Sequence, residues 1–232
     1  MTLSELAFAC FLYNRFTDSD KAYLLLLKKT GGCTDLCDAK HRQALLEWLN
    51  QWGCRQFARR HHGLASRSIL SWHGKHGKGL FPSNKNLWEL NDQELISATV
   101  AFGALSGKIA SYRTKSNGSP VTVTVGPTGA AKILFAVRPR ALPPWDDPIR
   151  RFFGYDASKE GYLSYLRETR TMLEKLAISC EMNGLSLAEL PKELGRPNST
   201  LPKLIDEYHW VAVTRGCSLP SSDILQRWLG WG

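Results

Sequence analysis

Apolar residues recur at spacings of three and four over most of this 232-residue chain, the pattern of helices that bury one face. Residues 3–13 and 19–29 carry it, and so does the stretch from about 39 to 60, where Ala44, Leu45, Trp48, Leu49 and Trp52 make one face. Residues 61–84, rich in His, Gly and Lys, predict a shorter helix followed by an exposed basic loop. Asn91-Asp-Gln-Glu94 has capping-box spacing ahead of an apolar helix through Leu95, Ile96, Val100 and Leu105 to about residue 110. Residues 112–120 predict a basic, turn-rich connector. Val121-Thr-Val-Thr-Val125 alternates and could be extended, although one such piece makes no sheet. Helix is expected again from Pro127 to Val137, from Asp147 to Gly154, and over a long stretch from about 158 to 183, striped by Tyr162, Leu166, Leu173, Leu176 and Cys180. Two or three short helices should close the chain, separated by Gly195-Arg-Pro-Asn198 and Gly216-Cys-Ser-Leu-Pro220. The expected fold is all-α, with a helical layer of residues 1–90 packed on a second layer of residues 91–232, the two able to form one compact unit.

Composition narrows the class without choosing a function. Apolar content of 43% and charged content of 22% suit a soluble globular protein, and the chain is long enough to bury a sizeable core. A net charge of +9 favours a polyanionic partner. Six scattered cysteines do not make a disulfide framework, and Met-Thr-Leu-Ser-Glu-Leu lacks the basic start of a signal peptide. The longest aliphatic run, Leu24 to Leu27, is far short of a membrane span. A cytoplasmic protein, monomeric and with no membrane partner, is the expectation.

The most informative chemistry lies between residues 125 and 151. A Val125-Gly126 turn opens an apolar helix, and a glycine turn at a helix N-terminus offers N–H groups and a positive dipole end to phosphate. About twenty residues on, Trp145-Asp146-Asp147-Pro148-Ile149-Arg150-Arg151 sets an acidic residue four and five positions before two arginines. Aspartate before a proline-containing first turn is a usual N-cap. Asp147, one residue on, would point about 100° away.

Taken together, the turn and the aspartate-arginine block resemble the helix-hairpin-helix DNA glycosylase superfamily over about residues 92–155. That family carries a Pro-Gly-Val-Gly hairpin and then a catalytic aspartate in a Val-Asp-x-x-Val-Arg-Arg-like context. The resemblance puts the central helix-hairpin-helix motif between helices 92–110 and 127–137 and makes Asp146 the catalytic carboxylate. It gives Val125, Gly126, Thr128, Gly129, Arg150 and Arg151 to the DNA backbone. This chain departs in having Thr-Val-Thr before the hairpin and Thr128 where bifunctional members carry a nucleophilic lysine, with Lys132 one turn further on. A Schiff-base lyase is thereby disfavoured. Only Cys180 and Cys217 lie where some members hold an iron-sulfur cluster, so no cofactor is expected.

The implied activity is monofunctional hydrolysis of an N-glycosidic bond in double-stranded DNA with the target base flipped out, leaving an abasic site. The Pro-Pro-Trp-Asp version of the block is unlike the standard repair lineages, and a defence enzyme removing glucosylated hydroxymethylcytosine from phage DNA is one expectation it raises. Base pocket or wedge candidates are Asn50, Gln51, Trp52 and Trp145, while Trp48 and Trp52 at four-residue spacing also suit a core. Arg55, Arg59, Arg60, His61 and His62 form a basic helix end able to touch phosphates. Cys33, Cys37, His41 and Cys54 lack the usual zinc spacing, and His73-Gly-Lys-His76 reads as a loop, so no metal is expected. The alternatives are a non-catalytic helix-hairpin-helix DNA-binding protein and an enzyme acting on modified nucleotides.

Overall fold

The computed structural model describes residues 1–221 together with 223, 224 and 227. Among these the chain forms α1 (Leu3–Phe16), α2 (Ser19–Thr30), α3 (Ala39–Gln51), α4 (His62–Lys75), α5 (Asp92–Ser106), the strands β1 (Ile109–Thr114) and β2 (Pro120–Thr124), α6 (Gly126–Val137), α7 (Asp147–Phe152), α8 (Lys159–Met182), α9 (Leu190–Glu193) and α10 (Leu201–His209), which runs on into a π-helical turn, Trp210–Thr214. The fold is mainly helical, as expected. A final short helix beyond Pro220 falls largely outside the described residues.

The caps follow from local chemistry. At α5 the Asn91 side chain accepts from the Glu94 N–H at 2.9 Å while the Asn91 N–H donates to the Glu94 carboxylate at 3.0 Å, the reciprocal box its spacing predicts. At α8 the Ser158 hydroxyl accepts from the Gly161 N–H at 3.1 Å. One continuous apolar core runs from Leu6 on α1 to Ile205 on α10. Since α1 packs against α10 and α5 against both α6 and α8, the helices of residues 1–90 and of residues 91–232 share that core. Trp72 is fully buried in it, and its indole N–H donates to the Ala101 carbonyl at 2.9 Å, tying α4 to α5.

The link between α5 and α6 departs from expectation. Helix stops at Ser106 rather than near residue 110, and residues 109–124 form an antiparallel hairpin. The alternating Val121-Thr-Val-Thr stretch finds its partner in Ile109–Thr114, part of which was expected to be loop. β-Branched residues alternating on one arm, and the Asn117-Gly118 turn at the tip with Gly118 at φ 81°, are hairpin chemistry. The two helices pack on each other, but what joins them is this hairpin and not a tight glycine turn.

Candidate functional site

Asp146 is presented by a segment fixed from behind. On α8 the Tyr162 hydroxyl donates to the Pro143 carbonyl and the Tyr165 hydroxyl to the Pro144 carbonyl, both at 3.2 Å. Trp145 is 1% exposed among Phe102, Tyr162 and Tyr165. Its expected role as pocket wall or wedge is therefore overturned: the indole is core, anchoring the residue that follows it. Asp146 then caps α7, its Oδ1 accepting from the Ile149 N–H at 3.1 Å. Burial raises its carboxyl above the ordinary range, against the opposing pull of that N–H and of Lys132. Asp147 turns to Arg150 and Arg151, and the hydrogen bond from Arg150 lowers its carboxyl. Two adjacent aspartates thus have opposite environments.

Lys132 on α6 and Asp206 on α10 complete the constellation. Lys132 favours the charged form of both Asp146 and Asp206, while Asp146 raises Asp206. Burial pushes Asp206 up to about 7, with Asp146 adding to the effect and Lys203 and Lys132 opposing it. Among the described residues no hydrogen bond reaches the Asp206 side chain, and the residue is half-buried. Lys132 lies one helical turn beyond Thr128, and its ammonium donates to the Trp52 carbonyl at 2.7 Å.

Trp52 is the pocket candidate that the fold brings here. It is half-buried, stacks on Phe135 at 12° with centroids 6.1 Å apart, and has the Lys132 and Lys203 ammonium groups each 5.4 Å from its ring centre. Trp48 beside it is core. Asn50 is committed elsewhere, its amide bonded to the His62 ring at 2.9 Å, and Gln51 is exposed at the last residue of α3. Neither is brought to the Asp146 cluster by any bond, whereas Trp52 is.

The expected phosphate grip is redistributed. Val125 is fully buried and its N–H donates to the Lys108 carbonyl at 2.7 Å, closing the hairpin, so it offers no N–H to a ligand. Gly129 is also buried: a side chain there would meet the Gln56 amide at 2.6 Å, and Gln56 itself donates to the Val125 carbonyl at 2.7 Å. Its glycine is needed for this close approach, not for DNA. Gly126, at φ 68°, and Thr128 remain half-buried at an α6 N-terminus with no side-chain cap. Arg150 is tied to Asp147 and donates to the Tyr155 carbonyl at 2.8 Å, which makes it a staple of α7, while Arg151 is exposed. The sequence shows the basic helix end at residues 55–62 and the basic connector at 112–120 separately, and what it does not show is that the fold joins them. The hairpin docks on residues 55–61 through Ser111 to the Gln56 carbonyl (2.7 Å) and Tyr112 N–H to His61 (3.3 Å), gathering exposed Arg55, Arg59, Arg60, Arg113 and Lys115.

A second group of charges reaches Trp52 through Lys203. Arg196 makes two bonds to Glu207, at 2.8 and 2.7 Å, and one to Asp20 at 2.8 Å; Lys203 bonds Glu207 at 2.5 Å and lies 3.6 Å from Asp20. Lys203 and Glu207 are wholly buried, and the Lys203 ammonium stands 4.5 Å over the Tyr13 ring. Burial alone would discharge this lysine, but Glu207 and its neighbours outweigh that and raise it. The signal in the sequence was Lys203 and Glu207 at four-residue spacing on a helix face shared with Leu204 and Tyr208. A separate groove of about 410 Å³, between Tyr23, Ala136, Arg140 and Asn198, has no carboxylate among its lining residues.

The chain matches no protein-family model, and no curated protein or solved structure gives a significant match.

Proposed function

We propose that the protein is a monofunctional DNA glycosylase in which Asp146 acts at the sugar. The observation that carries this reading is a partly buried carboxylate, fixed at a helix N-cap with its pKa raised, beside Lys132 and a second carboxylate, Asp206. Paired carboxylates whose environments differ are the arrangement used to break glycosidic bonds. The basic hairpin surface and the uncapped start of α6 add support for a DNA partner.

In the proposed reaction the C1′–N bond breaks and its electron pair leaves with the base. Water adds at C1′ and gives its proton to ionised Asp146, which also stabilises the positive charge developing on the sugar. Asp206, pushed up to about 7, retains a proton in neutral solution to a useful extent and is the candidate donor to the departing base. Trp52 offers an aromatic face for stacking the extruded base. The proposed substrate is a damaged or modified base, with glucosylated hydroxymethylcytosine of phage DNA as the first to try, and the proposed setting is cytoplasmic.

The test is incubation of the purified protein with duplexes carrying defined damaged or modified bases, followed by alkali to cut at abasic sites. Excision lost in Asp146→Asn while DNA binding persists supports the reading. Binding without excision from any base would make this a DNA-binding module, and action on free modified nucleotides alone would make it a nucleotide enzyme. A second reading is favoured by one observation: Lys132 lies within electrostatic reach of Asp146. Borohydride trapping of a covalent DNA complex that disappears in Lys132→Met would establish a lyase in place of simple hydrolysis.

A further inference from the structure

Away from this site, the segment between α2 and α3 meets the C-terminal half of α4. There a carboxylate oxygen of Asp35, the Cys37 thiol and a ring nitrogen of His73 all lie within 4.8 Å of one another, the one such group of His, Cys, Asp and Glu side chains among the described residues. We propose that these three side chains hold a zinc ion. The sequence did not point to it, because the spacing that looked closest to zinc ligation, Cys33, Cys37 and His41, draws only on one segment. The third ligand comes from a helix more than thirty positions downstream.

The donor set fits zinc. Thiolate, imidazole nitrogen and carboxylate oxygen are its three protein ligand types, and three of them leave a fourth tetrahedral position for water. With Cys37 and Asp35 ionised and His73 neutral, the ligand charge cancels that of a divalent ion. The three ligand atoms are already within 4.8 Å of one another, and the exposed Asp35 and Cys37 side chains have rotamers with which to close on an ion.

The backbone is fixed without help from a metal. Leu36, between the two loop ligands, is fully buried. The Arg42 guanidinium donates to the Leu36 carbonyl at 2.7 Å and to the Cys37 carbonyl at 2.9 Å, and its Nε donates to Ser66 at 2.8 Å. Ser66 lies seven residues before His73 on α4, two turns back on the same face. Arg42 therefore locks the loop to the helix that carries the third ligand. The Asp35 N–H donates to His41 Nδ1 at 3.1 Å, and Asp35 Oδ1 accepts from the Cys37 N–H at 2.8 Å, which orients the pair. His73 makes no side-chain hydrogen bond among the described residues, and its Nδ1 is buried without a partner. The ring packs against Gly77 and Trp72 but gives up no hydrogen bond if it turns to a metal.

Zinc binding to the full chain, measured by calorimetry after chelator treatment, tests this directly, with cobalt(II) as a spectroscopic probe. One equivalent should bind, and cobalt should give a near-ultraviolet sulfur-to-metal charge-transfer band with visible bands of tetrahedral intensity. Cys37→Ser should remove the charge-transfer band, and Cys37→Ser and His73→Gln should each weaken zinc roughly a hundredfold. Cys33→Ser should leave both readouts unchanged. Circular dichroism of each variant in the absence of metal checks that the fold is intact, and the exposed Cys37 makes its replacement mild. Absence of stoichiometric binding at micromolar zinc overturns the site. So does binding that survives both Cys37→Ser and His73→Gln, or that depends on Cys33 instead.

Discussion

Two clusters of charge reach Trp52, one through Lys203 and one through Lys132, each ammonium 5.4 Å from its ring centre. In one, Asp20, Arg196, Lys203 and Glu207 bond one another at 2.5 to 2.8 Å, both cations meeting a carboxylate directly. In the other, Lys132 acts on Asp146 and Asp206 only through space, Asp206 also feels Lys203 of the first cluster, and Lys132 spends its hydrogen bond on a backbone carbonyl. The first is closed and holds α2, α10 and the loop before α10 together. The second is open, half-buried, and leaves carboxylates with raised proton affinity. Charges taken out of water are tolerated when they are mutually satisfied. Those left unsatisfied keep shifted proton affinities, so the difference separates a mutually satisfied cluster from the candidate chemical one.

The largest effect should come from breaking the closed cluster. Glu207→Gln leaves two buried cations, Arg196 and Lys203, to share Asp20 and should cost about 3–5 kcal/mol in urea denaturation, a large share of a domain's stability. A loss of similar size in Asp206→Asn would erase the distinction between the clusters.

Asp146→Asn should lower excision by about 100- to 10,000-fold, the usual worth of a positioned acid or base. Asparagine caps a helix as well as aspartate does, so denaturation should show a stability change within about 0.5 kcal/mol. Equal losses of stability and activity would reduce Asp146 to a cap.

The third comparison uses pH. The folded state holds a proton on Asp206 up to about 7, whereas the unfolded chain releases it near the ordinary carboxylate value of about 4. In that window the folded state binds more protons, so this group makes the wild type lose stability as pH rises and level off above 7. Asp206→Asn removes that slope. The variant should match the wild type near pH 4 and gain on it up to pH 7 by at most ~4 kcal/mol. Parallel stability curves across this range would mean that Asp206 is not desolvated.

The smallest effect concerns the entry to α6. Gly126 has φ 68° and open space where a Cβ would stand, so Gly126→Ala should cost only backbone strain, about 1 kcal/mol. If its N–H also meets phosphate, DNA affinity should fall by more than stability does, read by titration at fixed salt.

How much was legible in the sequence varies residue by residue. The Asn91 box, the Ser158 start of α8 and the stripe from Tyr162 to Cys180 were readable because each rests on contacts within four residues. Asp146 as an N-cap was readable for the same reason. The hairpin was half seen: one arm alternated, but its partner, Ile-Ala-Ser-Tyr-Arg-Thr, carries no period-two pattern and becomes a strand by pairing. Trp145 looked like a wedge because aromatic residues serve both surfaces and cores, and only the rings of α5 and α8 decided for the core.

Local chemistry along the chain determined the helices, their caps, the basic excess and the carboxylate at the head of α7, since these depend on neighbours within a turn. Tertiary structure alone decided which charges are spent and which are left open. Lys132 meets Asp206 across 74 positions, and Arg196 meets Asp20 across 176. Asp35 and Cys37 meet a histidine from another helix in the same way. Burial and electrostatic coupling act through space, and a one-dimensional pattern carries no distance between residues that far apart.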